Sequence, residues 1–102
     1  MIKINSKKKE YKKLNLAPIT LFTFNRLEHL EKTINSLKKN NLAIHSDLII
    51  FSDYAKKRKD KIKIQEIRIY LKKISGFRKI KIYERKVNFG LSKNIITGLN
   101  KV

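Results

Sequence analysis

Three times between Pro18 and Lys101 a short apolar run gives way to a stretch whose apolar residues recur at helical spacing. This alternation constrains the fold more than any other feature of the chain. Ile19-Thr20-Leu21-Phe22-Thr23-Phe24 is β-branched and aromatic and mostly apolar on both faces, which predicts a buried strand of a parallel sheet. Pro18, the only proline, stands at the strand start, where a missing N–H removes no ladder bond. Leu27, Leu30, Ile34 and Leu37 then fall three, four and three residues apart with charged residues between them, the period of an amphipathic helix. Asn25 is the candidate cap of that helix; Glu28 and Glu31 suit its positive amino end, and Lys38 and Lys39 its negative carboxyl end.

The second unit pairs the strand Leu48-Ile49-Ile50-Phe51 with a helix carrying Ile64, Ile67, Leu71 and Ile74 on one face, and Gly76 stands past its end as a left-handed cap. In the third, Lys79 to Glu84 alternates Ile80 and Ile82 with Lys81 and Tyr83, the pattern of a half-exposed edge strand. Asn88-Phe89-Gly90 turns the chain into a helix containing Leu91, Ile95 and Leu99. Strand-helix units in succession predict an α/β fold, a three-stranded parallel, Rossmann-like β-α-β-α-β-α unit. Residues 1–16 are read as a basic, disordered leader without the apolar core of a signal peptide, and residues 17–102 as the folded domain.

Charge invites a different reading. Lys and Arg number 26 against 8 Asp and Glu, a net charge of +18 that would attract nucleic acid, anionic lipid or phosphorylated ligands. The lysines are spread over nearly every segment, however, and Lys, Ile and Asn share A/T-rich codons, so coding composition accounts for the excess. A small basic nucleic-acid-binding protein remains the alternative, and a stand-alone interaction module a third. The expected location is cytoplasmic or peripheral to the inner membrane face, with weak polyanion or anionic-lipid contact through the lysines and no specific nucleic acid.

Ligands of open parallel sheets bind beyond the carboxyl ends of the strands. The residues there are Thr23, Phe24, Asn25 and Arg26 after the first strand, Ser52, Asp53 and Tyr54 after the second, and Arg85, Asn88 and Gly90 after the third. An Asp at a strand end can accept hydrogen bonds from a base or ribose, and Arg26 at a helix start can meet a phosphate. Neither G-x-G-x-x-G nor G-x-x-x-x-G-K-[ST] occurs, which argues against a dinucleotide cofactor and against an NTPase phosphate loop. His29 and His45 lack the spacing of a zinc pair and are read as a helix-surface and a loop residue.

Taken in order, Pro18 to Arg26, Glu28-His29-Leu30, Ile50-Phe51-Ser52-Asp53 and Asn88-Phe89-Gly90-Leu91 with Gly98 resemble the start of GT-A glycosyltransferases of the large family-two-like group, closest to bacterial sugar transferases. The resemblance covers Ala17 to Val102. It implies a nucleotide-sugar donor site for sugar transfer in surface glycan or polysaccharide synthesis. In it Thr23 and Asn25 line the nucleotide, Asp53 binds base or ribose, the Asn88-x-Gly90 turn closes over the site and Arg26 adds to it. Relatives carry an arginine near the diphosphate where Ile95 and Ile96 stand, with Lys93 a neighbouring substitute. They also hold Mg or Mn on an Asp-x-Asp-like motif after a fourth strand and place a catalytic base later still. Asp47, Asp53 and Asp60 have no such spacing, so this chain is expected to be a truncated front portion, binding no metal and inactive alone.

Overall fold

A computed structural model of the chain describes residues 16–101. It contains the strands β1 (Ile19–Thr23), β2 (Asp47–Ser52) and β3 (Lys79–Glu84) and the helices α1 (Leu27–Lys38), α2 (Asp60–Leu71) and α3 (Leu91–Lys101), with a single 3-10 turn at Ala43–His45. The strands form one parallel sheet in the order β1-β2-β3, with Ile19 opposite Leu48, Thr23 opposite Ser52, Asp47 opposite Lys79 and Ser52 opposite Glu84. The expected α/β unit with a parallel sheet is therefore present. All of the basic leader before Leu16 lies outside the described residues.

Alternation along the strands assigns two faces. Leu48 and Ile50 of β2, Ile19 and Leu21 of β1 and Ile80 and Ile82 of β3 share the face that packs on Leu30 and Ile34 of α1 and Ile67 and Leu71 of α2. Leu48, Ile50, Ile34 and Ile67 are fully buried, each contributing about 1.5–3 kcal/mol relative to exposure. On the opposite face Phe22, Phe51 and Tyr83 stack in register across all three strands, at centroid separations of 5.4 and 4.8 Å.

The cover over that aromatic row is α3, applied through its small and polar side. Asn94 and Gly98 are buried, while Leu91, Ile96 and Leu99 are largely exposed. A Cβ at Gly98 would lie 2.7 Å from Cε1 of Phe22 and 3.0 Å from the ring of Phe51, so glycine sets how closely this helix approaches the sheet.

Four local expectations need correction. β1 is half-buried and not fully buried along most of its length, because among the described residues it pairs on one side alone. Asn25 does not cap α1: Arg26 occupies the cap position without a side-chain bond, and Asn25 reaches across to Asp60. Gly76 is left-handed, at φ +95°, yet it turns the loop before β3 and does not cap α2, which closes at Lys72. Ile74 lies beyond the helical residues, although it still packs on the core. β3 is the edge strand that its alternation predicts, with Lys79, Lys81 and Glu84 exposed. No helix among the described residues is long and apolar enough to cross a membrane.

Candidate functional site at the carboxyl ends of the strands

Asp53 follows β2 directly and is buried, with 3% of its surface exposed. Its Oδ1 accepts from the backbone N–H of Tyr54 at 2.9 Å and of Phe89 at 2.8 Å. Its Oδ2 accepts from the N–H of Gly90 at 3.0 Å and from Nδ2 of Asn88 at 3.4 Å. A carboxylate offers about four acceptor positions, and all four are engaged by the protein itself. Phe89 and Gly90 immediately precede α3, where backbone donors lack intrahelical partners, so Asp53 fastens that helix start to the end of β2. Gly90 makes the turn at φ +77°, a left-handed conformation that side chains with a Cβ rarely adopt.

A second tie comes from α2. Nε of Arg68 donates to Oγ of Ser52 at 3.1 Å, and its Nη2 reaches the carbonyl oxygens of Ser52 at 3.2 Å, Asp53 at 3.4 Å and Arg85 at 2.8 Å. One guanidinium thus bridges the carboxyl ends of β2 and β3. Arg85 is itself buried, its guanidinium held between the rings of Phe51 at 5.1 Å and Phe89 at 4.5 Å, with Nε donating to Oδ1 of Asn94 at 3.1 Å. Two aromatic faces and a side-chain carbonyl offset part of the cost of burying that charge. Its Nη2 is buried without a partner among the described residues.

Between these ties opens a cleft of about 210 Å³, bordered by Phe22, Thr23 and Phe24 after β1, by Asp53 and Lys56, and by Asn88, Gly90, Leu91 and Asn94. A neighbouring cleft of about 470 Å³ shares Phe22, Thr23, Phe24 and Leu91 and adds Asn25, Arg26 and His29. Of the residues singled out in the sequence, Thr23, Asp53, Asn88 and Gly90 meet at the first cleft, while Asn25 and Arg26 border the second. Lys93 lines neither; it is exposed and lies over the ring of Phe89 at 4.9 Å.

Sequence reasoning missed three members. Arg68 flanks the buried stripe of α2, four residues after Ile64 and three before Leu71, where a cation is ordinarily expected to reach solvent. Lys56 is one of several cations in the loop after β2. Asn94 flanks the apolar residues of α3, three positions after Leu91, and a polar residue there is ordinarily expected to face solvent. The described residues offer no group of three His, Asp or Glu able to hold a metal ion, so what the cleft can do is derived from its own donors and acceptors. No family model, curated protein or solved structure matches the chain.

Proposed function

We propose that the chain binds a nucleotide-sugar donor at the carboxyl ends of its strands, as the nucleotide-binding unit of GT-A-type sugar transfer. One observation carries this reading: Thr23, Asp53 and Asn88, from three separate strand ends, border a single cleft at the edge where parallel sheets bind ligands. The cleft suits a ring with polar edges. Phenylalanines supply apolar walls, Thr23 a hydroxyl, and Asn88 a carbonyl oxygen whose amide nitrogen is already engaged by Asp53 and by the carbonyl of Tyr54 at 2.8 Å. The resemblance of the strand-end segments to sugar transferases selects a nucleotide-sugar from among the ligands of that shape.

The test is thermal unfolding of the whole chain with uridine, cytidine and guanosine diphosphate sugars. A bound donor at a hundredfold excess over its Kd stabilises by about 2.7 kcal/mol, a readily measured rise in Tm. Stabilisation by one of these and not by free sugar supports the reading. No response to any of them, together with RNA or DNA binding that falls steeply with salt, would replace it with the basic nucleic-acid-binding alternative.

A further inference from the structure

The charges lining the smaller cleft are not equivalent. Its acidic member, Asp53, has its acceptor positions filled by four N–H groups of the protein. Its basic member, Lys56, makes no ion pair or hydrogen bond among the described residues. Lys57, Arg58 and Lys59 follow, all exposed, and the next acid along the chain, Asp60, is buried and accepts from Nδ2 of Asn25 at 3.2 Å. Among the described residues the cleft mouth thus carries a run of exposed cations beside a single lining carboxylate, Asp53, which is already bound to the protein's own donors. Size adds a second constraint. At about 210 Å³ the cleft falls below the roughly 300–1,000 Å³ of sites that enclose a whole small ligand. It holds one ring, and the rest of a larger ligand must extend past its rim.

We propose that Lys56 is the phosphate-binding residue of this cleft. A nucleobase or ribose ring enters between Thr23 and Asn88, and the phosphate joined to that nucleoside meets Nζ of Lys56 at the mouth. The inference rests on the nucleotide reading above and adds the residue that separates a nucleotide from its nucleoside. A lysine fits the role because its compact ammonium carries three donors on a flexible stem and needs no fixed bidentate geometry. Asp53 acts here as a positioning residue: it holds the Asn88 to Gly90 turn in place and leaves ligand contact to Thr23, Asn88 and Lys56.

The experiment titrates the whole chain with uridine, cytidine, guanosine and adenosine and with their 5′-diphosphates, for the wild type, Lys56→Met and Lys57→Met. Lys57 is the control, since it has the same charge and exposure but does not border the cleft. Loss of one charge-assisted contact should weaken the bound diphosphate about tenfold in Lys56→Met and leave the matching nucleoside unchanged. Lys57→Met should stay within about twofold of wild type, the size of a diffuse surface-charge effect. Equal losses in the two variants, or an unchanged diphosphate-to-nucleoside ratio in Lys56→Met, would overturn the assignment while leaving the nucleotide reading intact. Failure of the wild type to bind any of the eight probes overturns both. Circular dichroism and melting of both variants check that these exposed substitutions leave the fold unchanged.

Discussion

The two ends of the parallel sheet treat polar groups in opposite ways. At the amino end the charged feature is a solvent-facing pair, Nε and Nη2 of Arg78 against Asp47 at 2.8 and 3.0 Å. Ser46 is the buried exception there, its hydroxyl donating to the carbonyl of Leu42. At the carboxyl end Thr23, Ser52, Asp53, Arg85 and Asn94 are all buried, and hydrogen bonds tie the last four to one another's loops or to Arg68. An unpartnered buried polar group costs about 1–3 kcal/mol, whereas a surface ion pair contributes little. The carboxyl-end loops are thus held in shape by a polar network, in a fold whose other end relies on apolar packing and turns.

Four substitutions grade that contrast. The largest effect is expected from Asp53→Ala, which strands the donors of Phe89, Gly90 and Tyr54 together. A loss of about 3 kcal/mol in urea unfolding is expected, or roughly 15 °C in Tm, with faster amide exchange at Phe89 and Gly90. Arg68→Ala comes next at about 2 kcal/mol, because three carbonyl oxygens at the ends of β2 and β3 lose a shared charged donor. Gly98→Ala should cost less, about 1 kcal/mol net. Its methyl group collides with Phe22 and Phe51, while alanine's higher helix propensity returns about 1 kcal/mol.

Asp47→Asn should give the smallest change of the series. The hydrogen bond from Arg78 holds the Asp47 carboxyl below its ordinary value, so its contribution is full above the range where the unfolded carboxyl titrates. It is lost as pH falls through the lowered native value. The urea midpoints of wild type and Asp47→Asn should therefore differ slightly at neutral pH, converge on acidification, and converge also in high salt. A midpoint shift as large as that of Asp53→Ala would erase the contrast between the two ends.

How much of this was legible in the sequence depends on whether a residue's surroundings are local. Strand and helix types followed from period, and the alternation of β3 marked it as an edge, because hydrophobic spacing records which side of an element meets the core. Strand-end polar residues were found because parallel topology alone brings Thr23, Asp53 and Asn88 to one edge. Ties across the chain left no such trace. Asn25 looked like a helix cap, and only the placement of α2 shows its amide reaching Asp60, 35 residues away. For α3 the recurrence of Leu91, Ile95 and Leu99 marks a helix but not its buried residues: Leu91 and Leu99 are largely exposed, and Asn94 and Gly98 are the buried ones. Close approach to an aromatic row selects Gly98 and Asn94, and a small residue carries no hydrophobic signal. Asp53 was legible as a site residue, but its engagement by the backbone of Phe89 and Gly90 and the amide of Asn88 depends on a turn some 35 to 37 residues further on.

The most direct test compares the two ends within one spectrum. Amide resonances of the whole chain, assigned by NMR, would be followed as the stabilising nucleotide-sugar is added. Shifts are expected at Thr23, Lys56, Asn88, Gly90 and Leu91, saturating together, while Asp47 and Arg78 at the amino end stay still. Shifts centred on the amino end, or spread without saturation over the exposed lysines of α1 and α2, would contradict a nucleotide site at the carboxyl ends of the strands.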